Sequence, residues 1–190
     1  MIPIAREMLA QMQPNSHGNL TMRCDDGAAS VTAGEAMLLY GLVRATRPKV
    51  VLELGAAYGF STVHLATACR DNGGGFVYSV EPHDWRRTLA TAWLRKGKLE
   101  GWARIEKDLA TQEGKIDLAF IDAEHTQEAV SGYLLALLPR LAMGATIAIH
   151  DACWADHVRR ALRVCGLQDW PVVMFSQTSQ NGLAIIKVPE

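Results

Sequence analysis

The chain has 190 residues, a formal net charge of −1 and 49% hydrophobic residues. That length suits one domain, residues 1–190, with a sizeable core, and the balanced charge excludes a strong attraction to nucleic acid or to a membrane surface. No apolar run is long enough to span a bilayer, and the cysteines (Cys24, Cys69, Cys153 and Cys165) form no C-x-x-C pair, so they read as small buried hydrophobes rather than zinc ligands or a disulfide set.

The first residues, Met1-Ile2-Pro3-Ile4-Ala5-Arg6-Glu7, lack the pattern of a signal peptide. With the cysteine usage this gives an expected cytoplasmic location. Residues 1–30 carry loop signals at Pro14-Asn15-Ser16-His17-Gly18-Asn19 and Asp25-Asp26-Gly27. They are expected to be irregular and to be a candidate cover for a site, a role a partner subunit in a homo-oligomer could also fill. Thr32-Ala33-Gly34-Glu35 fits a capping box, which accounts for Glu35 structurally and starts a helix that runs to Thr46, before Pro48.

From there the pattern alternates. Strands are expected at 49–54, 76–80, 102–106, 116–121, 145–149, 171–176 and 183–188, with helices near 60–71, 84–97, 126–138 and 155–165. The alternation implies βαβ units and a parallel sheet. The connection Gln177-Thr178-Ser179-Gln180-Asn181-Gly182 is too short for a helical crossover, so the last two strands should form an antiparallel hairpin. The basic residues Arg86, Arg87, Arg95, Lys96, Lys98, Arg159, Arg160 and Arg163 read as solvated helix faces.

The stretch Val50-Val51-Leu52-Glu53-Leu54-Gly55-Ala56-Ala57-Tyr58-Gly59-Phe60-Ser61-Thr62 carries the most chemistry. An apolar strand enters a turn bracketed by glycines, and Ser61 and Thr62 open a helix. In doubly wound α/β proteins ligands collect at such junctions. The glycines follow E-x-G-x-x-x-G; the dinucleotide fingerprint G-x-G-x-x-G fails at Ala57. Glu53, at the end of an apolar strand, is costly unless hydrogen-bonded or set beside positive charge.

Every core strand ends near an acid: Glu53, Glu81, the Glu106-Lys107-Asp108 segment, Asp122 with Glu124 and His125, and Asp151 after His150. Helix capping explains one such acid more easily than five. An acid after the second strand can accept both hydroxyls of a ribose, which fits Glu81. A rim this acidic suits a cationic ligand or a divalent metal better than a pyrophosphate.

The glycine stretch Val51–Thr62 resembles motif I of the class I S-adenosylmethionine-dependent methyltransferases. Phe120-Ile121-Asp122-Ala123-Glu124-His125 resembles the F-I-D-x-x-H segment of one branch, and Ile149-His150-Asp151 its H-D segment. That branch groups small-molecule O-methyltransferases with proteins named after cephalosporin hydroxylase. The likeness covers roughly residues 30–190. It implies a Rossmann-like α/β fold, a doubly wound seven-stranded sheet in the order 3-2-1-4-5-7-6, mostly parallel with an antiparallel C-terminal hairpin. It also implies that Glu53, Gly55, Ala56, Tyr58, Gly59, Ser61 and Thr62 cradle S-adenosylmethionine. Glu81 would bind the ribose, Asp108 would flank the adenine, and Asp122 would lie near the sulfonium and the acceptor.

Methyl transfer needs an aligned, deprotonated nucleophile. Two routes are open. Asp122 and Asp151 could hold a divalent ion that lowers the pKa of an acceptor hydroxyl, or His125 or His150 could take the proton as general base. Metal-dependent relatives carry a third ligand just after the second acid, where this chain has Ala152; His125 or His150 would have to complete the set, and mixed Asp/His ligation favours a transition metal over Mg²⁺. No D-P-P-Y segment follows the fourth strand, which disfavours an adenine or amide acceptor. The expected acceptor is a small-molecule hydroxyl, with Trp154 the tryptophan best placed to meet it. The competing readings are a metal-dependent hydrolase or oxygenase built on Asp122, His125, His150 and Asp151, and a cofactor-binding module without catalysis.

Overall fold

The computed structural model describes residues 2–14, 20–21, 30–110, 112–152, 156–175 and 182–190. Trp154, Cys24, Cys153 and the 176–181 connection lie outside them. Seven strands form the main sheet: β1 (Val50–Leu54), β2 (Phe76–Val80), β3 (Ala103–Glu106), β4 (Ile116–Ile121), β5 (Leu141–Ile149), β6 (Val172–Phe175) and β7 (Leu183–Lys187). Their order is β3-β2-β1-β4-β5-β7-β6, with β7 antiparallel to both neighbours. This is the Rossmann-like 3-2-1-4-5-7-6 arrangement expected from the sequence. The helices are α1 (Pro3–Leu9), α2 (Ala33–Thr46), α3 (Phe60–Asn72), α4 (Asp84–Lys96), α5 (Gln127–Leu137) and α6 (His157–Val164). Residues 13–14 and 20–21 pair as a separate antiparallel ladder. No helix among the described residues is long and apolar enough to cross a membrane.

The chain forms two compact units, Met1–Gln112 and Glu113–Glu190. In the first, β1, β2 and β3 pair in parallel, Val50 opposite Phe76 and Val77 opposite Ala103. The capping box is present: Thr32 Oγ1 accepts the Glu35 N–H at 3.2 Å, and Glu35 Oε2 accepts the Thr32 N–H at 2.9 Å. Residues 3–9, expected to be irregular, form α1: Pro3 suits a first helical position, and Ile4, Ala5 and Met8 bury one face, a period-3.6 pattern too short to read from sequence.

α3 is buried from Phe60 through Cys69, so its polar side chains turn back on the helix. Thr67 Oγ1 donates to the Val63 carbonyl at 2.6 Å, and His64 Nδ1 donates to the Phe60 carbonyl at 2.8 Å. The helix starts at Gly59, whose φ of 83° is left-handed. A Cβ there would lie 2.9 Å from Ala90 Cβ on α4. Gly59 is therefore required twice, by its φ and by the approach of α4. Burial raises the Cys69 thiol to about 11, which leaves it inert.

In the second unit, β4 and β5 are parallel and Ile121 lies opposite Ile149. β5 begins at Leu141 rather than near 145. Its register skips from Ile116–Leu141 to Leu118–Thr146, so residues 142–145 oppose the single residue Asp117, and Met143 is 81% exposed. Gly144, at φ 65°, breaks the period-2 signal there. α5 starts where Thr126 Oγ1 accepts the Ala129 N–H at 3.1 Å.

Two outcomes follow from this packing. Gly59→Ala combines a left-handed φ with a clash against α4, and should lower unfolding stability by about 1–3 kcal/mol in urea titrations. Burial lowers the pKa of His64, so the unfolded chain takes the proton first. The resulting stability is fully present above the unfolded value of about 6.5 and is lost as pH falls below it, at up to about 1.4 kcal/mol per pH unit. His64→Gln should remove that part of the acid-side slope when urea midpoints are compared between pH 7 and 5.

Candidate active site

The first unit gathers the expected ligand-binding residues around the β1–α3 loop. Glu53 is fully buried, and its Oε2 accepts Thr62 Oγ1–H and Ser79 Oγ–H, each at 2.5 Å. Distances this short suit hydroxyls bonded to a carboxylate. The carboxylate thus ties the end of β1 to the first turn of α3 and to β2, where Ser79 is its register partner. Above it the loop turns through Gly55 (φ 96°) and Ala57 (φ 44°). The Gly55 and Ala56 N–H groups both reach the Val80 carbonyl at 3.0 Å, and Gly59 N–H closes the loop on the Ala56 carbonyl at 2.7 Å. Ala56, Tyr58 and Ser61 are buried.

Glu81 follows β2 and is 3% exposed. Its Oε2 accepts the Ala57 N–H at 2.9 Å; its Oε1 accepts the His83 N–H and faces His83 Nδ1, both at 2.9 Å. Arg87 Nη1 donates to the Glu81 carbonyl at 2.7 Å. An acid and a glycine loop far apart in sequence are therefore joined by a direct bond, and Oε2, with the Ala57 N–H as its partner, keeps lone-pair capacity for a further donor. The Tyr58 and Trp85 rings lie 5.8 Å apart, with Trp85 46% exposed. Asp108 is exposed, its Oδ1 accepting the Ala110 N–H at 2.9 Å; the adjoining Glu106 carbonyl accepts the Glu81 N–H at 2.9 Å.

The second unit brings Asp122, His125, His150 and Asp151 together. His150 Nδ1 lies 2.9 Å from Asp122 Oδ1 and 3.5 Å from Asp151 Oδ1. His125 Nε2 lies 3.7 Å from Asp122 Oδ1 and 3.5 Å from Asp151 Oδ2. The His150 side chain is buried and that of His125 is 23% exposed. Successive side chains on a strand point to opposite faces. Asp151 escapes that rule because its φ is 53°, which lets both His150 and Asp151 meet the residues after β4. Asp tolerates this conformation better than most residues. The turn is anchored by the His150 N–H on the Ile121 carbonyl (2.9 Å) and the Ala152 N–H on the Gly182 carbonyl (3.1 Å).

Several residues of these sites escaped the sequence reading. Ser79 looked like an ordinary strand position; its signal was a small hydroxyl opposite Glu53. His83 and Arg87 flank Glu81 with no motif to mark them. His157, 5% exposed, packs its ring 6.2 Å from that of His125 at 62°, and its only signal was a histidine just past the H-D pair.

As a metal site the second cluster fits one kind of ion better than another. Asp122, His125 and His150 each offer a donor atom, all within 4.8 Å of one another. Ala152, where metal-dependent relatives carry a third oxygen ligand, is buried and offers none. The donor set is mixed nitrogen and oxygen, not the all-oxygen shell that Mg²⁺ favours.

Comparison with known proteins agrees with this architecture. The family profile described as "Methyltransferase domain" matches residues 52–152, a span that includes Glu53, Glu81, Asp122 and the His150–Asp151 pair. A protein of Mycobacterium sp. (strain KMS) named "Putative O-methyltransferase" is 32% identical, over 67% of this chain and 60% of its own length. The chain therefore spans less than two thirds of the curated relative it matches. Among solved structures, a putative O-methyltransferase from Klebsiella pneumoniae superposes with a TM-score of 0.74 at 18% identity, covering 99% of this chain and 90% of the other. The O-methyltransferase TomG from Streptomyces achromogenes, involved in tomaymycin synthesis and solved in complex with SAM, superposes with a TM-score of 0.68 at 17% identity, covering 85% and 82%. At these identities the structural likeness speaks for the fold.

Proposed function

The chain belongs to the methyltransferase-domain family, and from that premise we propose that it transfers a methyl group from S-adenosylmethionine to a hydroxyl of a small-molecule acceptor. The observation that carries the proposal is the bond between Glu81 Oε2 and the Ala57 N–H. It couples an acid suited to a ribose diol to a glycine loop suited to a ligand lying against the main chain. TomG, which shares the fold, was solved with SAM bound.

Each residue has a part in this reading. Gly55, Ala56, Tyr58, Gly59 and Ser61 shape the loop that receives the methionine portion of the cofactor. Thr62 and Glu53 hold that loop in place from beneath. Glu81 accepts the ribose hydroxyls, and Asp108 flanks the adenine. S-adenosylmethionine supplies a methyl carbon already activated by its sulfonium, so the acceptor oxygen displaces sulfur directly: an O–C bond forms, the S–C bond breaks, and S-adenosylhomocysteine leaves. What remains for the protein is to align the hydroxyl and take up its proton. Asp122, His125, His150 and Asp151 do this. His125 Nε2, more exposed than His150, receives the proton, while Asp122 orients His150. A divalent ion held by the same residues would serve the same step by lowering the pKa of the hydroxyl.

The near-zero net charge and the acids at the strand ends argue for a small molecule over a nucleic acid as acceptor.

Calorimetry with S-adenosylmethionine tests the reading directly, and no heat of binding at millimolar cofactor would end it. Glu81→Ala should weaken cofactor affinity tenfold or more, a loss of about 1.4 kcal/mol or greater. Asp122→Ala should leave that affinity within about twofold and reduce methyl transfer to hydroxylated acceptors about a hundredfold, as followed by S-adenosylhomocysteine release.

A further inference from the structure

We propose that His83 is a positioning residue for the cofactor: its ring holds the Glu81 carboxylate in the orientation that receives the ribose. The proposal rests on the methyltransferase reading above and adds to it the group that sets the ribose acceptor.

The bonds at Glu81 divide unevenly between its two oxygens. Among the described residues, Oε1 accepts the His83 N–H and faces His83 Nδ1, both at 2.9 Å, whereas Oε2 accepts the Ala57 N–H alone, at 2.9 Å. A carboxylate oxygen offers two lone-pair directions, so Oε1 is filled and Oε2 keeps one open. The open direction therefore belongs to the oxygen that is bonded to the β1–α3 loop, and a hydroxyl donated to it meets the carboxylate beside that loop.

The ring is what fixes this division. Rotation of a Glu carboxylate about its last side-chain bond is broad and roughly two-fold. The backbone N–H groups of Ala57 and His83 give each oxygen one donor, and the imidazole adds the side-chain donor that makes the two oxygens unequal. Glu81 is 3% exposed, which leaves water little room to take the place of the ring. Arg87 is engaged elsewhere: its Nη1 donates to the Glu81 carbonyl at 2.7 Å and its Nη2 pairs with Asp84. It braces the turn and leaves the carboxylate to His83.

Neither capping nor burial accounts for the ring. His83 is the N-cap residue of α4, yet its side chain makes no bond to the first turn, where an N-cap side chain ordinarily accepts an N–H. The side chain is 57% exposed, so packing does not dictate its direction. An ionised carboxylate only accepts, so Nδ1 is the nitrogen that carries a proton, and the bond to Oε1 sets both the tautomer and the orientation of the ring.

The test is calorimetry with S-adenosylmethionine on the full chain and on His83→Ala, His83→Asn, Glu81→Ala and the Glu81→Ala/His83→Ala double variant, with urea midpoints recorded for each. His83→Ala should weaken cofactor affinity about fivefold or more. His83→Asn, whose amide can donate from the place of Nδ1, should stay within about twofold of the unaltered chain. In the Glu81→Ala background, His83→Ala should change affinity by less than about twofold, because a residue acting through Glu81 has nothing left to act on. Equal affinities for the unaltered chain and His83→Ala would overturn the positioning role alone. So would a loss in the Glu81→Ala background as large as in the unaltered one, or a His83→Asn loss as large as that of His83→Ala. A His83→Ala loss matched by a fall in urea midpoint that His83→Asn shares would also overturn it, as the mark of a structural role. No cofactor binding by the unaltered chain would end the methyltransferase reading and this proposal together.

Discussion

A carboxylate with no exposure to water is the constraint around which the first unit is organised. Burying an ion costs several kcal/mol unless donors replace its hydration, and Glu53 meets two of them on one oxygen, the hydroxyls of Thr62 and Ser79. Those donors come from the first turn of α3 and from β2, so the charge can be accommodated only when strand, loop and helix are in register. The loop from Gly55 to Gly59 spans the gap above this anchor. Its left-handed turns at Gly55, Ala57 and Gly59 follow from a chain that must reverse within a few residues while its N–H groups find Val80 and Glu81. The conformation of the loop is thus set by bonds internal to the protein, on the Val80 carbonyl, the Ala56 carbonyl and the Glu81 carboxylate.

The second unit solves a different problem. A strand delivers side chains alternately to its two faces, so a strand end can offer only every second residue to a site. After β4 the chain leaves the strand at Asp122 and brings His125 back three residues later. After β5 the left-handed Asp151 turns consecutive residues to the same side. Two short departures from regular structure thus concentrate titratable groups that the strands alone would scatter. The pinning of that turn by backbone bonds to Ile121 and Gly182 keeps the departure from relaxing.

What could be read from the sequence divides along these lines. The strands were legible because they are apolar runs bounded by Gly, Pro and acids, and α2 because Thr32 and Glu35 form a local device that needs no tertiary context. The order of the strands came from resemblance to a family, since nothing local specifies which parallel strand lies beside which. The start of β5 was hidden by residues 142–145, which leave the ladder and expose Met143. α1 was hidden by its brevity. At the sites, the acids stood out because strand-terminal charges need a reason, but their partners did not. Thr62 was marked as part of the glycine stretch but not as a partner of Glu53, Ser79 is a common residue whose meaning depends on its bond to the same carboxylate, and His157 acquires significance only through the ring it packs against. Sequence marks the groups that are costly to bury; the folded chain shows what offsets the cost.

The composition of the second cluster bears on its chemistry through charge. Each imidazole lies 2.9–3.7 Å from both aspartates, in a partly buried setting where charges are poorly screened. Acids at all four positions would repel one another there and could only accept hydrogen bonds when ionised. Histidine at two of the four gives each carboxylate a neighbour that can donate to it and keeps a second ring nitrogen on each imidazole for another partner. The gathering of these groups at two strand ends is therefore sustained by its mixed composition, histidine rather than acid at positions 125 and 150.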